Sequence, residues 1–307
     1  MIENFPPSIP LGRWIADAID WVSIHLRVVL DAIKRSGTAV NDGLVDVLLF
    51  LPPLAMILVF AALAWLVRSW KLAIGTTVTF LLIVSMDLWT EAMQTLALVM
   101  LATTTAVVIA VPLGIWAARN DRVSAVVRPV LDLMQTMPAM VYLIPAIMFF
   151  SLGAVPGMFA TIIFSLPPGV RLTELGIRSV DKETVEAGES FGASDGEILR
   201  GIQLPLAIPT IMAGINQVIM LALSMVVIAG MVGAKGLGDE VVRALSMVRM
   251  ADGVEAGLAI VFLAIFLDRF TGALGSPAEN TSSLLAKWKF AREEKARKAQ
   301  ELAATAV

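Results

Sequence analysis

The sequence predicts an all-α integral membrane protein, and three observations lead to that prediction. Of its 307 residues, 58% are hydrophobic, only 16% are charged, and the mean hydropathy is +0.82. Soluble domains carry roughly 25% charged residues. Seven apolar runs follow one another, each near the ~20 residues that a helix needs to cross a bilayer. The charged residues collect between these runs rather than inside them.

The N-terminal region, residues 1–46, is expected to form an extracytoplasmic tail that contains an amphipathic helix. Residues 12–35 place their charged side chains on one narrow stripe of a helix, and Trp14 and Trp21 lie on the remaining apolar surface. This pattern is typical of a helix that lies in the membrane interface. A helix packed against its own protein fits the pattern equally well.

The transmembrane domain is predicted to cover residues 47–270. Its seven apolar runs lie at about 47–67, 72–88, 92–117, 129–150, 154–170, 206–230 and 253–269. The fifth run is short and carries Pro156, Pro167 and Pro168, so it could be a broken or partly re-entrant segment.

Lysine and arginine residues cluster in alternate connections between the runs and in the tail, residues 271–307. Because cytoplasmic loops carry an excess of these residues, the N-terminus is expected outside and the C-terminus inside. The tail would then be a charged cytoplasmic segment, with cations able to touch anionic lipid.

The segment 181–205, which we call the acidic segment, carries six acidic residues and only Lys182 and Arg200 as cations. Such a segment must lie in water. Asp181 is a candidate N-cap for a short helix that Gly192 would end, and Ser194 with Glu197 has the capping-box spacing. Two short helices bent at a glycine on a membrane surface would suit docking to another protein.

The chain shows little sign of chemistry of its own. The stretch GAKGLG at 233–238 lacks the ending of a phosphate-binding loop. With one histidine and no cysteine, a metal site or a histidine-based triad is not expected. Ionisable residues are scarce within the runs, which argues against an ion-coupled carrier or channel, the alternative from a different class.

Several polar residues nevertheless fall inside the apolar runs. They are candidates for lining a translocation path, because polar groups at this depth face protein or water rather than lipid. Hydrogen bonding between helices is the alternative. The candidates are Asp132, Gln135, Thr136, Tyr142, Asn216, Gln217 and Ser224.

One motif in the acidic segment resembles a family signature. Glu186-Ala187-Gly188, then Gly192, then Ile202-x-Leu204-Pro205 resembles the EAA-x3-G-x9-I-x-LP signature of ATP-binding-cassette (ABC) importer permeases, with Gly188 in place of the usual second alanine. The resemblance implies a type I importer permease fold. It also implies that these seven residues form a coupling helix seated on a cytoplasmic ATPase.

The blocks 132–150, 166–177 and 204–238 look like the glycine betaine/proline betaine permeases. This resemblance implies a bacterial inner-membrane permease that takes up betaine- or choline-type quaternary ammonium solutes for osmoprotection. Another small solute, such as an amino acid, is the alternative cargo. The implied partners are two ATPase subunits, a second copy of this chain, a periplasmic or lipid-anchored binding protein and membrane lipid, but no nucleic acid. ATP and Mg²⁺ would bind the ATPase, and this chain would hold no cofactor or metal.

Overall fold

The computed structural model of the chain describes residues 10–275, and all regular structure within that range is helical. The predicted charged tail therefore lies almost wholly outside the described residues. The helices, in chain order, are α1 Leu11–His25, α2 Arg27–Leu49, α3 Pro53–Val67, α4 Trp70–Ser85, α5 Trp89–Arg119, α6 Asp121–Thr136, α7 Leu143–Phe150, α8 Ala154–Arg178, α9 Lys182–Ser190, α10 Asp195–Ile198, α11 Leu204–Ser224, α12 Val226–Met231, α13 Leu237–Ser246 and α14 Met250–Gly275.

Helix α8 lies at the centre of the bundle, between α5 and α11. The helices approach closely because small residues line the contacts. A Cβ on Gly114 of α5 would lie 2.6 Å from Thr173 Cβ of α8, and one on Gly214 of α11 would lie 2.9 Å from Leu172 Cβ. Such contacts between small residues are typical of helix packing in membranes, where close backbone approach supplies the attraction.

The number of spans differs in detail from the seven apolar runs. Among the described residues, four helices are long and apolar enough to cross a membrane, or up to six if each of two bent helix pairs is one span. The first run contains a bend of 99° between the end of α2 and the start of α3, and α4 has only 16 residues.

The sharp break predicted for the fifth run occurs in the fourth run instead. There, α6 and the following helical stretch meet at 107°, where Met137 adopts an extended conformation (φ −70°, ψ 136°) before Pro138. Proline disfavours the helical conformation of the residue before it. The fifth run is the continuous helix α8, although Pro167 and Pro168 lie inside it. Both prolines are buried, and packed neighbouring helices allow proline within a membrane helix.

Residues 12–35 are helical in the structure, with an interruption at Leu26, and α2 continues to Leu49. No residue of α1 or α2 is buried, and Trp14 and Trp21 are each 58% exposed. Phe149 of α7 lies beside the apolar face of α1. The position of this face in a membrane interface stays a prediction.

The ends of four helices meet at one end of the bundle, which we call the hook end. There α5 stops at Arg119, α6 starts at Asp121, α8 stops at Arg178 and α11 starts at Leu204. The acidic segment connects α8 to α11 at this end. Any movement of the acidic segment is therefore passed directly to two helices of the bundle core.

Candidate functional site

The acidic segment forms two short helices joined by a bend. At the end of α9, Gly192 adopts φ +83°, its N–H donates to Glu189 O (2.8 Å), and the Ala193 N–H donates to Gly188 O (3.1 Å). These two hydrogen bonds form a Schellman motif, in which glycine is favoured because it lacks a Cβ that would clash at positive φ. The predicted glycine-capped bend is confirmed.

The starts of the two helices differ from each other. Glu197 Oε2 accepts hydrogen bonds from the Ser194 N–H (2.8 Å) and hydroxyl (2.7 Å), which is the carboxylate half of the predicted capping box. Asp181 stands at the N-cap position of α9 but caps no backbone N–H. Its carboxylate accepts a hydrogen bond from the Thr184 hydroxyl instead (3.3 Å).

Apolar side chains hold the bend against the bundle. Ile198 and Leu199 are buried, and Leu199 packs with Ile177 at the end of α8. Residues 199–203 form a π-helical turn that leads into α11. A Cβ on Gly188 would lie 2.6 Å from Ile202 Cδ1 in this turn, so α9 touches the start of the next long helix.

The outer face of the acidic segment is left uncovered by the described chain. Glu183 is exposed on α9, away from the bundle. Phe191, at the bend, is 93% exposed. Aromatic residues are enriched at protein interfaces, so Phe191 is a candidate contact for a partner.

A polar cavity of about 460 Å³ lies between the acidic segment and the hook ends of α5 and α8. Arg119 and Asp195 stand across it with 4.0 Å between their nearest charged atoms, and Glu186 and Glu189 contribute further carboxylates. Because this cavity separates α9 from the ends of α5 and α8, the acidic segment is attached to the bundle mainly through its apolar contacts.

Helices α6 and α8 run antiparallel beside each other and carry opposite charges in reversed order. Three ion pairs join them, and we call this set the ionic ladder. Its rungs are Asp121–Arg178 (2.8 Å), Arg128–Glu174 (2.9 Å) and Asp132–Arg171.

The middle rung, Arg128–Glu174, is held by several polar contacts, and all of them involve Glu174. The Glu174 side chain is only 4% exposed, and its Oε1 accepts from Arg128 (2.9 Å) and the Ser124 hydroxyl (2.7 Å) on α6. Arg178, one turn along α8, lies 3.0 Å from the same oxygen and also donates to the Ala117 carbonyl of α5 (2.8 Å). A buried carboxylate thus ties three helices together at the hook end.

The polar residues of the fourth run surround the bend after α6. Gln135 and Thr136 are exposed there, next to the Asp132 rung. The Tyr142 hydroxyl donates across the bend to the Met134 carbonyl. Tyr142 is therefore a buried residue that fixes the bend angle, whereas Gln135 and Thr136 face outward.

The polar residues of the sixth run are divided between two surroundings. Asn216 donates to Asp268 of α14 (2.6 Å) and accepts from the Thr271 hydroxyl (3.1 Å), which matches the alternative of hydrogen bonding between helices. Gln217 and Ser224, two turns apart on α11, are exposed.

A comparison with protein-family models decides the family. Residues 110–275 match the family described as binding-protein-dependent transport system inner membrane component. The chain belongs to this family. The resemblance recognised in the acidic segment is thereby confirmed, and the matched residues contain that segment, the complete ionic ladder and the bend after α6.

Curated relatives show which permeases of this family the chain is similar to. The glycine betaine transport system permease protein OpuAB of Bacillus subtilis is 49% identical over 86% of this chain and 94% of its own length. The glycine betaine/proline betaine permease protein ProW of Escherichia coli is 47% identical over 87% and 75%. The glycine betaine/carnitine permease protein GbuB of Listeria monocytogenes is 46% identical over 89% and 98%.

Solved structures support the fold. The MetNI methionine ABC transporter in an inward-facing conformation matches with a TM-score of 0.55 and 21% identity, over 60% of this chain and 92% of that chain. At this identity the match concerns the fold alone, and it confirms the type I importer permease fold expected from the resemblance.

The structure brings only part of the permease signature together. Gly188 and Ile202 are in contact, Gly192 forms the bend, Leu204 is half-buried at the start of α11, and Pro205 is exposed in its first turn. Glu186 and Ala187 are exposed on α9. The signature therefore combines residues that shape the bend with residues that stay available to a partner.

The ionic ladder was not predicted, although the spacing of charged residues in the sequence indicates it. Asp121, Arg128 and Asp132 are spaced by seven and four residues, which places them on one helix face. Arg171, Glu174 and Arg178 carry the opposite charges in reverse order on another. Matching two such faces would have predicted antiparallel contact between the two helices.

Replacing Gly188 tests how tightly α9 must pack against the start of α11. Gly188→Ala should leave uptake within about twofold of wild type, because the added Cβ meets only the flexible end of Ile202. Gly188→Leu should reduce uptake strongly, because the longer side chain has no room to pack. Gly201→Leu is the matched control, since nothing lies within 4 Å of a Cβ there. Equal losses for the two leucine variants would contradict the contact.

Proposed function

We propose that this permease imports quaternary ammonium compatible solutes, namely glycine betaine, proline betaine or choline-type compounds, for osmoprotection. The observation that carries the proposal is the identity of 46–49% to three permeases whose names all include glycine betaine. These matches cover 86–89% of the chain, so they include the spans as well as the acidic segment.

The acidic segment supports an energy source outside this chain. Its uncovered face combines Glu183 with the exposed Phe191, and Glu186 and Glu189 are exposed beside it at the edge of the cavity. This surface suits a groove that has basic residues and an apolar pocket. We propose that an ABC ATPase subunit binds this face and that the seven signature residues act as the coupling helix. The ATPase would hold ATP and Mg²⁺, and this chain would hydrolyse nothing by itself.

The remaining partners follow from the uncovered surfaces. The exposed polar residues beside the bend, Gln135 and Thr136, need water or protein at their depth. A second copy of the permease would enclose them, with one ATPase on each copy. A periplasmic or lipid-anchored binding protein would deliver the cargo at the end opposite the hook end. In this arrangement the N-terminus lies outside and the hook end faces the cytoplasm.

Uptake in cells that lack this permease tests the proposal. Restoring the chain together with its ATPase and binding protein should restore uptake of labelled glycine betaine at high osmolarity. Depleting ATP should stop this uptake, whereas collapsing the proton gradient at a maintained ATP level should not. Unlabelled methionine, which stands for an amino acid cargo, should not compete. Uptake that follows the ion gradient would instead indicate a secondary carrier.

A further inference from the structure

The third rung of the ionic ladder, Asp132–Arg171, differs from the other two in its surroundings. It lies seven residues from the end of α8, which is about 10 Å from the hook end at 1.5 Å per residue. Even at this depth the side chains are 63% and 39% exposed. In the middle rung Glu174 is buried, and the Asp121 rung stands at the hook end itself.

An exposed ion pair inside a span must face water or protein, because charged groups are excluded from lipid. Gln135 and Thr136 continue the same polar surface by one turn of α6. The bend at Met137 follows directly. This surface therefore lies against water or protein in the assembled transporter rather than against the bilayer.

The rung offers both signs of charge side by side. Arg171 has N–H donors to spare at the exposed end of its guanidinium, because within the described part of the chain its one side-chain hydrogen bond runs from Nη2 to Asp132. Glycine betaine, proline betaine, carnitine and trimethylamine N-oxide, the cargoes in the relatives' names, are dipolar. Each joins a cationic nitrogen to an anionic oxygen group.

We propose that Asp132 and Arg171 form a transient binding subsite for dipolar quaternary ammonium solutes. Arg171 binds the anionic oxygens of the cargo, and Asp132 faces its ammonium group. The inference rests on the proposed function and narrows its cargo to dipolar ions, with simple cations such as choline disfavoured.

Charge balance explains why a dipolar cargo suits this site. A dipolar ion that enters the rung replaces one ion pair by two, so no charge is left without a partner. A simple cation would pair with Asp132 and leave Arg171 unpaired in a span, which is costly. The site therefore selects by an unfavourable contact with the wrong cargo as well as by attraction to the right one.

The test uses the assembled transporter, with its ATPase and binding protein, in proteoliposomes. Asp132→Asn, Arg171→Gln and the double variant should each lower the initial rate of labelled glycine betaine uptake by roughly tenfold or more. Arg171→Lys should retain more uptake than Arg171→Gln, because it keeps the charge but not the paired donors. Uptake of labelled glycine betaine by proteoliposomes that contain the wild-type transporter tests the proposed function separately.

The double variant separates a binding role from a structural one. Its neutral side chains leave no unpaired charge, so its thermal unfolding temperature and its association with the ATPase should equal those of wild type while uptake stays low. Asp252→Asn, in the exposed Arg249–Asp252 ion pair outside the ladder, should leave uptake unchanged. If the double variant recovers wild-type uptake, the pair only holds α6 against α8, and the subsite is wrong.

Discussion

Gly192→Val should lower ATP-driven uptake by roughly tenfold or more while the protein still inserts in the membrane. Gly192 holds φ +83°, where a residue with a Cβ is strained by roughly 1–2 kcal/mol and a β-branched one by more. Relief of that strain would break the hydrogen bonds from the Gly192 and Ala193 N–H groups that end α9. The outer face of the acidic segment would then point in another direction.

The measurement is co-purification of the ATPase with the permease, together with uptake. We expect both to fall by roughly tenfold or more, since a strain of this size shifts an equilibrium by about that factor. Gly196→Val is the matched control, because Gly196 is equally exposed and a Cβ there meets nothing within 4 Å. Its backbone φ is not positive. Normal uptake by Gly192→Val would show that the bend is not needed for docking.

The bend at Gly192 shows which features of the structure can be predicted from nearby residues alone. The glycine-ended helix and the Glu197 contact were predictable because caps depend on residues within one or two turns of each other. The missing cap at Asp181 was not, because the Thr184 hydroxyl competes for the same carboxylate. Local patterns give the position of a bend more reliably than they give each hydrogen bond.

The spans were predictable as apolar runs, but their continuity was not. Pro138 breaks the fourth run, whereas Pro167 and Pro168 leave α8 continuous. The difference lies in the neighbours: the last two are buried between α5 and α11, while Pro138 is exposed. A proline kinks a helix by an amount that depends on what packs against it, and the sequence does not state which helices are neighbours.

The candidate residues for the translocation path show the same limit of prediction from sequence. Asn216 was grouped with Asp132 because both are polar and lie inside apolar runs, yet Asn216 bonds to Asp268 within the bundle. Asp132 is paired with Arg171 rather than standing as an isolated anion. Depth in a span predicts that a polar group has a partner, but it does not distinguish a neighbouring helix from a passing cargo.

Glu174→Leu should destabilise the permease more than a change at any exposed carboxylate. Glu174 is the buried acceptor for Ser124, Arg128 and Arg178, and its removal leaves two cations without their shared anion. Breaking a buried pair costs about 3–5 kcal/mol. We expect about 3 kcal/mol, because the Arg128 and Arg178 side chains are 59% and 33% exposed and can recover some solvation.

Thermal unfolding in detergent measures this cost, and Glu255→Leu, at an exposed position of α14, is the control. Glu174→Gln should fall between wild type and Glu174→Leu, because an amide oxygen still accepts hydrogen bonds but carries no charge. ATP hydrolysis by the assembled transporter provides the second measurement.

If the ladder makes α6 and α8 move as one body, a transporter assembled with the Glu174→Leu permease should hydrolyse more ATP for each solute molecule imported. In the wild type, a slip of one rung would break the Arg128–Glu174 pair and bring Arg128 beside Arg171 or Arg178. In Glu174→Leu that pair is already lost, so less free energy opposes sliding. Without Glu174, movement of the acidic segment would still reach α8 directly, but would reach the bend after α6 only in part. An unchanged ratio of hydrolysis to uptake would mean that the ladder stabilises the fold without transmitting movement.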